Sequence, residues 1–261
     1  MTARTGAGFA LSSPAAWLVP LLALIGFVAL IATGANQRAF LALNAIGPAT
    51  SDALWANITV LGDTAVALAL CLPLWRRRPD LIWALVIGGL LATAWVHGLK
   101  PLLEMPRPPA LLGEAVYVIG PVYTVHSFPS GHATTSFFVG GLMALGLGSR
   151  LGYAAALAVA VTAAVSRSVV GAHWPLDLLG GAFGGWLSAA GGLALARRFP
   201  APGRNAWVQW ALGLLLAGCA VALVVGLDTG YSQASWFARG VGAVVLAAAA
   251  ATLWKNSRRW R

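Results

Sequence analysis

Eight apolar runs set the limits on what this chain can fold into. They lie at about residues 15–33, 57–75, 81–99, 131–148, 151–167, 176–196, 207–226 and 239–254. Each approaches the roughly 20 residues that carry an α-helix across a bilayer core. Lipid offers the backbone no hydrogen-bond partner, so helix is the expected state of such a run. Nothing alternates at strand length in the manner of a barrel, and no segment repeats at a fixed period. Composition agrees: 59% of the 261 residues are apolar and 9% charged, against about 45–50% and about 25% in a soluble domain. A soluble fold needs more polar surface than this, and a disordered chain needs the opposite balance. The expected fold class is all-α: a polytopic membrane protein of about eight spans, with residues 1–196 as a six-helix core and 197–261 as a basic loop and two further helices.

The charge is lopsided, with 17 Lys and Arg against 7 Asp and Glu. The basic residues are scattered between the runs rather than gathered into one patch, which argues against nucleic acid as a partner and for a record of topology. With the N-terminus placed in the cytoplasm, twelve of them fall on the cytoplasmic side: Arg4, Arg76, Arg77, Arg78, Arg150, Arg197, Arg198, Arg204, Lys255, Arg258, Arg259 and Arg261. Five fall outside: Arg38, Lys100, Arg107, Arg167 and Arg239. The positive-inside rule favours this orientation, with both termini cytoplasmic. The first run is too long for a signal peptide and lacks a convincing cleavage site, so it is expected to be retained. Cys71 and Cys219 both sit within apolar runs and read as packing residues.

Basic residues on the wrong side of a membrane invite an anion as their explanation. Lys100, Arg107 and Arg167 belong to three short strings that this topology places at the outward face. The first runs from Lys100 to Arg107-Pro108, inside a Pro-rich loop over about 100–130. The second is Pro129-Ser130-Gly131-His132. The third is Ser166-Arg167, five residues, His173, three residues, Asp177.

Each string suits phosphate chemistry. Pro-Ser-Gly-His opens an apolar helix, whose free N–H groups and positive dipole end attract an anion. Gly131 lets the backbone approach an oxyanion, and Ser130 either caps the helix or donates to the ligand. His132, in the first turn, is placed to pass a proton to a leaving oxygen. His173 and Asp177 share one face if a helix has begun, as Pro175 suggests. A carboxylate on one imidazole nitrogen then fixes the tautomer and frees the other nitrogen to attack. Lys100, Arg107 and Arg167 spread positive charge around a transferring phosphoryl group. Singly, each feature has a plainer reading: an interfacial histidine, a snorkelling lysine or arginine, a common helix start, a helix-bridging aspartate. Together, in order and on one face, they point to a site.

The three strings resemble the signature of the type 2 phosphatidic-acid phosphatase superfamily: Lys-x6-Arg-Pro, Pro-Ser-Gly-His and Ser-Arg-x5-His-x3-Asp. Every signature position is filled over residues 100–177. The resemblance implies a phosphate monoester or pyrophosphate hydrolase that works through a phosphohistidine, with no metal or other cofactor. It implies His173 as nucleophile, Asp177 as its orienter and His132 as general acid. It implies Lys100, Arg107, Ser130, Gly131 and Arg167 as the phosphate cradle. Vanadium haloperoxidases look similar at these positions but are soluble.

Three further residues are candidates for a supporting layer. Asp63, inside the second run, is placed either to orient Lys100 or Arg167 or to cap a helix. His97 lies one turn before Lys100, and Ser166 opens the third string. Gly180, Gly181, Gly184, Gly185 and Ser188 form a small-residue stripe suited to close helix packing. The last two runs carry no catalytic cluster and read as extra packing or a dimer face, with a wall of a lipid groove as the sharper alternative. The expected partner is a lipid phosphate: undecaprenyl pyrophosphate, phosphatidylglycerol phosphate, phosphatidic acid or a lipid A phosphate, at a bacterial inner membrane. A lipid phosphotransferase would use the same residues. A phospholipid transporter explains the basic residues but not the His–Asp pair with a second His. Tail, headgroup and oligomeric state are not readable from the sequence.

Overall fold

The computed structural model describes residue 11 and residues 14–257. Arg4, Arg258, Arg259 and Arg261 of the charge count lie outside the described residues. Among the described residues there are helices and no strand. They are α1 (Ala15–Thr33), α2 (Asn36–Asn44), α3 (Asp52–Thr59), α4 (Thr64–Cys71), α5 (Pro79–Leu103), α6 (Pro108–Leu112), α7 (Gly131–Leu147), α8 (Arg150–Val169), α9 (Pro175–Arg198), α10 (Ala201–Arg204), α11 (Ala206–Val225) and α12 (Ser235–Ser257).

Seven of the eight expected runs emerge as single helices. The second does not. Expected as one span over 57–75, it is broken into α3 and α4, and the two arms bend by 66°. The cause is Asp63. Its backbone is extended, and its Oδ1 accepts from the amides of Ala65 at 2.8 Å and Val66 at 3.2 Å, starting a new helix. A window average of hydropathy does not register a cap inside an apolar run. Among the described residues, six helices are long and apolar enough to cross a membrane, and a seventh span results if the bent pair counts as one. The remaining run is α7, whose 17 residues reach about 25 Å at about 1.5 Å per residue.

α7 is the axis of the bundle, packed against α8 on one side and α9 on another, with α5 closing on α9. The small-residue stripe of α9 makes this possible. A Cβ added at Gly181 would lie 2.8 Å from the Cβ of Ala133 and 2.9 Å from the carbonyl of Ser130. In lipid, where no hydrophobic force pushes helices together, close van der Waals fit of this kind holds them. Trp186 fills the core beneath, fully buried, with its indole N–H donating to the carbonyl of Ala16 on α1. α11 and α12 pair with each other and pack on α4. The outer faces of α1, α11 and α12 carry exposed Leu and Val side chains, and Trp207 and Trp236 stand exposed in the first turns of α11 and α12. Such tryptophans suit the membrane–water interface. The C-terminal ends of α5 and α8 and the N-terminal ends of α7 and α9 meet at one end of the bundle.

Candidate active site

The third string folds into a closed turn. Arg167 occupies the last turn of α8. The chain reverses through Gly171, whose φ of +80° a side chain would disfavour. The amides of Ala172 and His173 then donate back to the carbonyl of Arg167 at 2.9 and 3.1 Å. Five intervening residues are the length of that turn. The Ser168 hydroxyl donates to the carbonyl of His173 at 2.9 Å. α9 begins at Pro175, so His173 precedes it rather than lying in its first turn. The expected shared helix face is therefore replaced by a capping geometry. Asp177, in the first turn, reaches back so that its Oδ2 accepts from the amide of Trp174 at 2.9 Å. The same oxygen lies 3.1 Å from Nδ1 of His173. It also accepts from the Ser127 hydroxyl at 2.5 Å. Both His173 and Asp177 are buried. A carboxylate at Nδ1 selects the Nδ1–H tautomer and leaves the Nε2 lone pair for chemistry.

Arg107 stands at that lone pair. Its Nη1 is 3.1 Å from Nε2 of His173 and donates also to the carbonyl of Ala172 at 3.1 Å. Its Nε donates to the carbonyl of Val125 at 2.8 Å, and the ring of Tyr123 lies 4.8 Å from the guanidinium carbon. Burial, and after it the positive charges of Arg107, Arg167 and Lys100, hold the His173 imidazole well below its ordinary value of 6.5. Lowering the value favours the neutral ring, which is the nucleophilic form.

The second string builds the opposite wall. The Ser130 Oγ caps α7 by accepting from the amide of Ala133 at 3.3 Å. The Ser130 amide donates to the carbonyl of Asp177 at 3.1 Å, which ties the start of α7 to the start of α9. Gly131 and His132 lead the helix, where amides have no intrahelical acceptor. The Nε2 of His132 is buried without a partner. Lys100, in the last turn of α5, shares with Gly131 and His132 the wall of a cavity of about 500 Å³. That cavity runs along α5 toward Ile82 and is lined also by Leu212, Leu215 and Leu216 of α11. Arg167 is buried and uses Nη1 to donate to the hydroxyls of Thr59 at 2.7 Å and Tyr231 at 2.6 Å.

The eight residues expected to catalyse or to hold phosphate thus converge on one end of the bundle. The supporting candidates divide. Asp63 lines the cavity as the cap of α4 and makes no hydrogen bond to Lys100 or Arg167. His97 lines it too, with Nδ1 3.1 Å from the carbonyl of Thr93. Ser166 turns back into its own helix, donating to the carbonyl of Ala163 at 2.6 Å, and stays out of the site. Ser127, Thr59 and Tyr231 enter the site without having been singled out. Each is a common hydroxyl residue at no informative spacing, and only the fold brings them to Asp177 and Arg167.

Comparison with known proteins agrees with this geometry. Residues 80–201 match the family model described as the PAP2 superfamily. A lipid A 1-phosphatase of Rhizobium etli is 35% identical over 124 residues, covering 45% of this chain and 50% of that protein. A second, from Rhizobium johnstonii, is 34% identical over 124 residues, or 45% and 47% of the two chains. The chain therefore spans about half the length of the curated relatives it matches. The crystal structure of Aquifex aeolicus LpxE superposes with a TM-score of 0.54 at 28% identity, over 61% of this chain and 94% of that one. The PAP2-type phosphatidylglycerolphosphate phosphatase of Bacillus subtilis shares the fold, with a TM-score of 0.50 at 22% identity over 70% and 96%. With the signature filled, its residues gathered at one end of a shared helical fold, and the family model matched across them, residues 80–201 of this chain are similar to the PAP2 superfamily.

Proposed function

We propose that this membrane protein is a lipid phosphatase that transfers phosphate to His173 and then to water. The observation that carries the reading is the buried His173, with Asp177 on one ring nitrogen and the Arg107 guanidinium at the other. Arg107 donates to the very lone pair that must attack. An arriving phosphate offers Arg107 a better, charged acceptor and draws it off Nε2. Nε2 then forms a bond to phosphorus as the bond from phosphorus to the leaving oxygen breaks. His132 supplies the proton that the leaving oxygen needs. Lys100, Arg167 and the first amides of α7 take up the charge on the phosphoryl oxygens. In the second half His132 accepts a proton from water, water oxygen bonds to phosphorus, and the bond to Nε2 breaks to release phosphate.

The substrate is a lipid whose tail stays in the bilayer, since the phosphate end of the site continues into a mostly apolar cavity open to the surface at Leu90 and Leu215. Lipid A 1-phosphate comes first, because two relatives above 30% identity carry that activity in their names. The distribution of basic residues supports a site on the outward face of the bacterial inner membrane. The deciding experiment is phosphate release by purified protein, with EDTA present, from lipid A, undecaprenyl pyrophosphate, phosphatidylglycerol phosphate and phosphatidic acid. We expect metal-independent release from one of them, with His173→Ala inactive and an alkali-stable, acid-labile phosphoenzyme in the alkali-quenched wild type that His173→Ala does not form. Full activity in His173→Ala, or no release from any lipid, overturns the proposal. Transfer to an added acceptor lipid in preference to water reassigns the enzyme as a phosphotransferase.

A further inference from the structure

Arg167 is buried, yet no carboxylate pairs with it among the described residues; the ion pairs there are Arg78–Asp80 and His173–Asp177. Its Nη1 is held instead by two neutral oxygens, those of Thr59 and Tyr231, and its Nε is buried without a partner. A buried cation left uncompensated is costly, and an arriving anion relieves that cost. The two acceptors come from opposite ends of the chain. Thr59 ends α3. Tyr231 lies in the connection between α11 and α12, outside the family match of residues 80–201.

The placement of Tyr231 is built rather than incidental. The side chain is buried. Gly230, with φ +81°, turns the chain into it and donates its amide to Asp228 Oδ1 at 2.7 Å. The ring lies against Gly120 of the outward loop, where an added Cβ would come within 2.8 Å of the ring's Cδ1, so the loop carries no side chain there. The guanidinium carbon of Arg167 is 5.7 Å from the ring centre.

We infer that Tyr231 is a positioning residue for phosphate binding, through which the C-terminal helix pair α11–α12 completes the site. With Thr59 it aims the Arg167 guanidinium through neutral acceptors. A carboxylate in the same place would hold the arginine equally well but would cancel the charge the phosphate needs. The inference rests on the reading of Arg167 as a phosphate ligand.

The test is a double-mutant cycle. Tyr231→Phe keeps the ring and its packing and removes the acceptor oxygen. Its kcat/KM on the active lipid should fall about ten-fold or more, the scale of one hydrogen bond to a charged group. Inhibition by orthovanadate should weaken by a similar factor. In an Arg167→Ala background, the Tyr231→Phe change should alter neither reading further. A ten-fold loss that persists in that background means Tyr231 acts on the fold or on substrate directly, and overturns the inference. So does a Tyr231→Phe enzyme with unchanged kcat/KM and vanadate sensitivity. A wild-type protein that hydrolyses no lipid phosphate fails differently: it removes the phosphatase reading and this inference with it.

Discussion

At the scale of single residues, the chemistry reduces to how many partners one carboxylate oxygen can hold. Asp177 Oδ2 accepts from Trp174 and Ser127 and faces the His173 ring. Asp177→Asn keeps the size but puts an amide where a carboxylate selected the Nδ1–H tautomer. Its kcat should fall by roughly 10²–10⁴, the range of misplaced general-base and triad partners, with KM little changed; a loss under ten-fold would remove the orienting role. The environment of His173 gives a second test. Burial and the surrounding positive charges lower its pKa well below 6.5, so the neutral ring persists below that pH and is lost only as pH falls through the lowered value. Nitrogen NMR of labelled histidines should find a neutral Nδ1–H ring at pH 6 whose signals are lost in His173→Ala. A His173 that gains its proton near 6.5 contradicts the charge environment described. The residues that the fold gathers around His173 with a distinctive type and spacing were legible in the sequence. Ser127, Thr59 and Tyr231 were not, because a hydroxyl that serves another side chain leaves no pattern of its own; its partner is 50, 108 or 64 positions away.

At the scale of elements, the apolar runs located helices well because a membrane helix and its sequence share one length requirement. The failure at 57–75 shows what that requirement leaves out. Apolarity sets how much chain lies in lipid, whereas local caps decide whether the chain stays straight. Asp63 caps α4 from within the run, with no hydrogen bond to Lys100 or Arg167. Asp63→Ala should cost about 1 kcal/mol, seen as a melting midpoint lower by about 2–4 °C for a domain of this size. Asp63→Asn, which keeps a capping oxygen, should melt close to wild type and retain activity within about three-fold. If Asp63→Asn loses activity as severely as Lys100→Ala, the carboxylate has a direct role at the cavity mouth beyond capping. The pairing of His173 with Asp177 carries the same lesson. Spacing alone suggested two residues on one helical face, but the helix starts at Pro175 and the contact is made by a side chain reaching back over the helix start. Spacing reported proximity correctly and its geometric cause incorrectly, since a turn and a first helical turn place residues four apart at similar distance.

At the scale of the whole molecule, the question is what the last two helices do. Read as sequence they carried no catalytic cluster and suggested extra packing or a dimer face, with a wall of a lipid groove as the sharper alternative. In the fold α11 packs on α4 and supplies Leu212, Leu215 and Leu216 to the cavity that begins at His132 and Lys100. At about 500 Å³ this cavity is of the size that buries a ligand segment rather than a single ion. Its mostly apolar lining matches a hydrocarbon tail, and its phosphate end would fix where that tail must start. Part of the tail's wall would then lie outside residues 80–201, in a helix that the catalytic signature does not report. Leu215→Trp adds bulk to that wall without touching a residue of the phosphate site. Lipids with long tails should lose kcat/KM by about ten-fold or more, while a short-chain or water-soluble phosphate analogue should be hydrolysed at the wild-type rate. Equal loss on both substrates would mean that α11 supports the phosphate site through packing alone, and no loss on either would mean that the tail leaves the protein before it reaches α11.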